Sequence, residues 1–78
     1  MNTREQLDAL YYVALDADRV FHVACVKQFG PKHCGDGRYA SEKHNAETAA
    51  ACEAFHKATQ ARLDAIHADR AESEEVRA

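Results

Sequence analysis

Tryptophan is absent from this chain of 78 residues, and aromatic residues of all kinds make up only 8% of it. The apolar content is 46%, but much of it is alanine, which buries little area per residue. A lone hairpin of helices with this composition would bury too little apolar surface to offset its chain entropy comfortably. We therefore expect association with a second copy, as a homodimer, or with a larger protein partner.

The sequence also lacks a long apolar run and an excess of basic residues. Asp16, Asp18 and Arg19 interrupt the first apolar segment, so we expect no membrane span, and the N-terminus does not have the basic-then-apolar order of a signal peptide. Three cysteines, an odd number, favour free thiols in a reducing, cytoplasmic location. The net charge of −3 leaves no basic stripe for a nucleic-acid partner.

Proline occurs once and glycine three times, and all four lie in one segment, GPKHCGDGR, at positions 30–38. Gly30 and Pro31 together predict the end of a helix that begins near Thr3, which can act as its N-cap. Ser41 is the expected N-cap of a second helix. We predict one domain over 1–78, with the first helix at about 3–29, the turn at about 30–40, the second helix at about 41–72, and a frayed C-terminus.

The fold class that follows is all-α, an antiparallel two-helix hairpin. Each helix has an apolar face at a spacing of three and four residues, which is the pattern of a packed helix. The first face contains Leu7, Leu10, Tyr11, Ala14, Ala17, Phe21, Ala24 and Cys25. The second contains His44, Thr48, Ala51, Cys52, Phe55, Thr59, Arg62, Leu63 and Ile66. We expect the hairpin to assemble into a helical bundle as a dimer, or to dock on a larger partner.

A second strip on the first helix lies roughly opposite the packed face. It contains Tyr12, Leu15, Arg19, Val23 and Val26. A helix that is apolar on two sides is either buried on both or presents one to another protein. We therefore predict that these five residues form a partner-binding surface.

Asp18 is a carboxylate near the packed face, and such a group needs a partner because an unpaired buried charge is unfavourable. Arg62 is a chemical match on the second helix. If the turn centres near residue 34, Arg62 lies level with Leu7, so the pair would meet across a dimer interface rather than within one hairpin. The alternative is that Asp18 reaches the edge of the face and is solvated.

Histidines and cysteines gather around the predicted turn. The same register places Cys25 level with His44, and Cys34 could fold back onto them, so that His22, Cys25, Cys34 and His44 would offer the nitrogen and sulfur ligands that zinc accepts. The chain has no CxxC motif. The competing interpretation is a core cysteine, two partly buried histidines and a surface thiol.

The sequence gives little indication of a catalytic site. Cys52 and His56 share a helical ridge but lack an orienting third group and an oxyanion donor. We therefore predict a non-enzymatic interaction or regulatory module without a cofactor. By analogy of class alone, we extend this prediction to a phage-type inhibitor of a host protein complex, a class that includes anti-CRISPR proteins. The alternative is a zinc-binding or metal-sensing hairpin.

Overall fold

The computed structural model describes residues 3–77, with side-chain surroundings up to position 70. It has a long helix α1 at Arg4–Phe29, a short helix α2 at Cys34–Tyr39, a 3₁₀ turn at Ser41–Lys43 and a long helix α3 at Ala46–Arg77. The described residues contain no strand, so the all-α prediction is confirmed. α1 and α3 pack against each other as a two-helix hairpin.

Both ends of α1 follow from local sequence. The Thr3 hydroxyl accepts a hydrogen bond from the Gln6 backbone amide at 3.2 Å, and the Gln6 side chain accepts one from the Thr3 amide at 2.8 Å. This reciprocal pair is a capping box, which satisfies amides that have no partner within the helix. At the other end Gly30 adopts a φ of 86°, where a side chain would be strained, and its amide donates to the Val26 carbonyl.

The connection between the long helices is not a simple turn. Residues 34–39 form helix α2, which has no side-chain cap and contains Gly35 and Gly37. The two glycines lower its intrinsic helix propensity, which is why the sequence predicted only a turn. The contacts of α2 with α1 provide the stabilisation that the intrinsic helix propensity of α2 does not. A β-carbon on Gly37 would lie 2.1 Å from a ring atom of Phe29, so the ring packs directly on the α2 backbone.

α3 begins five residues later than predicted. Ser41 starts the 3₁₀ turn, and Asn45 instead caps α3, because its side-chain oxygen accepts from the Thr48 amide at 2.8 Å. Gln28 holds this start in place from α1, since its side chain donates to the Lys43 carbonyl and accepts from the Asn45 amide. The backbone of α3 is helical to Arg77. Side chains from position 71 onward lie outside the described residues, and the predicted C-terminal fraying stays a prediction.

The contact between the long helices is made of small side chains. Ala24, Cys25 and Ala51 are buried with Phe21, and Thr48 is 0% exposed. The Thr48 hydroxyl donates to the Ala24 carbonyl across the interface at 3.4 Å. These buried residues all belong to the two predicted inner faces. Small residues let the helix axes approach closely, but they remove only a modest apolar area from water.

Arg38 of α2 brings a positive charge to the edge of this core. Its guanidinium lies over the Phe21 ring at 4.6 Å and over the Phe55 ring at 4.9 Å, and it forms an ion pair with Asp18. The two rings themselves are 5.9 Å apart. Arg38 therefore ties α2 to both long helices through cation–π contacts and a charged hydrogen bond.

The register of the hairpin differs from the predicted one by several residues. Arg62 lies over the Tyr11 ring at 5.0 Å, rather than level with Leu7, and Thr48 faces Ala24. The connection causes this shift, because it runs from residue 30 to residue 45 and is therefore centred beyond residue 34. Packing also thins away from the connection, where Leu63 and Tyr11 remain exposed.

Substitution of Gly37 tests whether α2 is held by close packing. We expect Gly37→Ala to lower the free energy of unfolding by about 1–3 kcal/mol, because the added methyl group overlaps Phe29. Gly35→Ala is the matched control, since nothing lies within 4 Å of its β-carbon position. There the gain in helix propensity should leave stability unchanged or raise it by up to about 1 kcal/mol. Equal urea midpoints for the two variants would contradict this packing.

Substitution of Arg38 tests the aromatic and acidic contacts together. We expect Arg38→Ala to reduce the free energy of unfolding by about 1–3 kcal/mol, since cation–π contacts, stem packing and a charged hydrogen bond are all lost. A double-mutant cycle with Asp18→Asn measures the pair directly. Lys32→Ala, at an exposed cationic position in the connection, should change stability by no more than about 0.5 kcal/mol. Similar losses for the two variants would overturn the assigned role of Arg38.

Candidate functional site

An open groove of about 570 Å³ lies between α1 and α3, and we call it the valine groove. Its lining residues are Arg19, Val20, Val23, Ala24, Glu47, Ala50, Ala51 and Ala54. Six of these eight are valine or alanine, so the groove offers mainly apolar surface with a charged residue from each helix.

The difference in side-chain size between the two helices creates the valine groove. Val20 and Val23 project from α1 and are 53% and 59% exposed. On the α3 side Ala50 and Ala54 are too short to cover them, and the buried Ala51 belongs to the floor. The groove is therefore a direct result of the small-residue packing that brings the helices together.

The two walls of the valine groove carry opposite charges. Arg19 stands on the α1 wall and Glu47 on the α3 wall. Glu47 also pairs with Lys27 at 3.3 Å, but both side chains are more than half exposed, so this pair contributes little. Arg19 forms no ion pair with any described residue.

Two residues of the predicted partner-binding strip belong to the valine groove. Arg19 and Val23 line it, whereas Leu15 lines a second depression. Tyr12 is 64% exposed and packs edge-on against Tyr11. Val26 is half-buried and lines neither cavity. That these five residues form one partner-binding surface stays a prediction.

The second depression has a volume of about 310 Å³ and is more polar. Its lining residues are Tyr11, Ala14, Leu15, Asp18, Phe55, Thr59 and Arg62. Asp18 and Arg62, the predicted polar pair, both lie here but have separate partners. Asp18 binds Arg38, and Arg62 stacks on Tyr11. The partner of Asp18 thus comes from the connection, which the sequence did not indicate.

The predicted zinc ligands are not assembled. Among residues 3–70 no three histidine, cysteine, aspartate or glutamate side chains lie close enough to hold one ion. His22 is exposed, whereas Cys25 is 1% exposed. His44 Nε2 lies 2.8 Å from the Gly37 carbonyl, to which it donates, and the Cys34 thiol donates to the Pro31 carbonyl. Zinc binding would require these groups to rearrange, so we do not carry it into the proposed function.

The cysteine and histidine on α3 do not form a nucleophilic pair in this structure. Cys52 is half-buried and packs against the core. The exposed His56 ring packs beside Phe55 instead, with ring centroids 5.7 Å apart. An activating base must lie within hydrogen-bonding reach of the thiol, and the prediction of a non-enzymatic module stays a prediction.

Comparison with protein-family models, curated proteins and solved structures finds no match for this chain. Within the described part of the chain, no helix combines the length and hydrophobicity needed to cross a membrane. The function must therefore be argued from the surface of the hairpin itself.

Several residues of the valine groove were missing from the predicted strip. Val20 lies three residues before Val23, so the helical spacing could have included it. Nothing in the sequence marked Ala50 and Ala54 as part of a binding surface, because exposed alanines are common in helices. Glu47 also looked like any acidic residue in a first helical turn. Their grouping depends on the register of the hairpin, which the sequence did not give correctly.

The buried thiol provides a test of the core beside the groove. Burial raises the pKa of Cys25 above the ordinary value of 9.0, and the nearby Arg38 opposes this shift. Since the thiolate is the reactive form, we expect alkylation at pH 8 to modify Cys34 and Cys52 first and Cys25 last, as followed by mass spectrometry. Simultaneous modification of all three would contradict the buried position.

The raised pKa of Cys25 has a defined effect on the stability of the fold. A raised pKa in the folded state means that the protonated thiol contributes its stability in full below pH 9.0, and the contribution is lost as the pH rises through the folded-state value. In urea unfolding, the decrease in stability above pH 9.0 should therefore be smaller in Cys25→Ala than in the natural chain.

Proposed function

We propose that this chain is a small, non-enzymatic protein-interaction module whose contact surface is the valine groove. A regulatory role, of the kind that phage-type inhibitors of host complexes fill, is consistent with a chain of this size by analogy of class alone. The observation that carries the proposal is the exposure of Val20 and Val23 on the wall of a groove with an alanine floor.

Clustered apolar side chains of this kind are unfavourable in water. Single exposed apolar residues are ordinary, but contiguous patches on small proteins mark interaction sites. Val20 and Val23 lie one helical turn apart, and the alanines of α3 continue the apolar surface across the groove. A side chain from another protein that filled the groove would be removed from water together with both valines, and this burial would drive binding.

The described polar groups also support a binding role over a catalytic one. Arg38 is bound to Asp18, His44 donates to the Gly37 carbonyl, and Thr48 donates to the Ala24 carbonyl. Each of these groups holds one element against another. An active site instead needs side chains that are positioned toward a substrate.

We propose a reducing compartment such as the cytoplasm for this module. Its three cysteines are free, and Cys25 lies in the core between α1 and α3. Free thiols of this kind persist where glutathione and thioredoxin keep them reduced.

A photo-reactive amino acid at position 20 tests the contact surface in the cells that make the protein. We expect a covalent protein adduct on irradiation, identified by mass spectrometry. Ala50→Lys, which introduces a charge on the facing wall, should lower the adduct yield at least about tenfold, because lysine would be buried without a partner. Ala49→Lys is the matched control, since Ala49 is an adjacent, exposed helical alanine outside the groove.

The two lysine variants separate a specific contact from accidental cross-linking. If Ala49→Lys lowers the yield as much as Ala50→Lys, the groove is not the contact surface. The absence of any protein adduct from position 20 would also overturn the proposal. Circular dichroism should show that both variants keep the helical content of the natural chain.

A further inference from the structure

We propose that the occupant of the valine groove is a second copy of this chain, and that two hairpins pack face to face into a four-helix bundle. This inference rests on the proposed function, because it assigns the partner of the same groove. The contact would be isologous, so that each residue pair across the interface occurs twice, once in each direction. Three observations support a second copy, and the arrangement of charges is the one that favours it over an unrelated protein.

The first observation is the size of the available face. α1 has 26 residues and is therefore about 40 Å long. The molecule is 20 Å across in its narrowest dimension, so the outline of one face of the hairpin covers roughly 800 Å². Stable protein interfaces bury about this area on each partner. A second hairpin, which has the same dimensions, matches this face along its full length.

The second observation is the charge on the walls. Arg19 and Glu47 stand on opposite walls of the valine groove, and Arg19 has no ion-pair partner among the described residues. A surface that carries one group of each sign on opposite walls is complementary to a copy of itself. An isologous contact can therefore bring the Arg19 of each copy toward the Glu47 of the other, and the pairing would be formed twice.

The third observation is the incomplete burial of the single hairpin. Only Phe21, Ala24, Cys25 and Ala51 are buried apolar residues within the described part of the chain. Ala24 and Ala51 also form part of the groove lining. A second hairpin on this side would add Val20 and Val23 to the same core. Homodimer interfaces are more apolar than other interfaces for this reason, since they complete a core.

A charge-exchange experiment tests this inference with purified protein. Sedimentation equilibrium should show a dimer for the natural chain. Arg19→Glu and Glu47→Arg should each raise the dimer dissociation constant by about tenfold or more, because each variant places like charges together at both pairings. An equimolar mixture of the two variants should restore the dimer, since each copy then supplies two charges of one sign to a partner with two of the other.

Both substituted side chains are exposed, so neither variant removes a core contact. Ala50→Lys is a further variant that leaves Glu47 unchanged, and we expect it to be monomeric. Its control, Ala49→Lys, should dimerise as the natural chain does. A monomeric natural chain, or a mixture that stays monomeric after both single variants have dissociated, would overturn the inference.

The two proposals fail in different ways. An adduct from position 20 to a different protein, with a monomeric natural chain, would retain the interaction module and reject the second copy. The absence of any adduct would reject the module itself. Restored dimerisation in the mixed variants would support the second copy specifically, because a contact with an unrelated partner gives no reason for the two variants to bind each other.

Discussion

The Arg38 guanidinium, which lies between Phe21 and Phe55 and binds Asp18, joins all three helices at one point. Arginine can make these contacts together because its planar, weakly hydrated cation stacks on aromatic faces and still donates at its edge to a carboxylate. α2 has six residues and no side-chain cap, so it is too short to be stable alone. Its position, and hence the register of the two long helices, depends on Arg38 and on the close packing of Gly37 against α1.

The small residues between the long helices have two opposite effects. Ala24 and Ala51 let α1 and α3 approach, and the buried Thr48 adds a hydrogen bond across the contact. The same short side chains leave Val20 and Val23 uncovered and produce the valine groove. A hairpin with so small a core gains stability when that groove is filled, because association removes further apolar surface from water. The proposed function and the proposed dimer thus follow from the same packing.

The parts that could be predicted from sequence are those governed by local chemistry. The Thr3 capping box, the Gly30 stop and the apolar spacing that identified the buried faces all depend on residues within a few positions of one another. α2 and the Asn45 cap were missed, because glycines disfavour helix and Ser41 looked like an equally good cap. The candidate site was predicted in part, since Arg19 and Val23 were named but their neighbours on α3 were not.

The sequence by itself determined two long helices, the place where the chain reverses, and which side of each helix is buried, because caps and apolar periodicity act over one or two turns. Only the tertiary structure decided the register between the helices and the partner of Asp18. It also decided which alanines of α3 face the exposed valines of α1. These features depend on how many residues the connection uses and on contacts between positions 20 or more residues apart, and no local pattern records either of them.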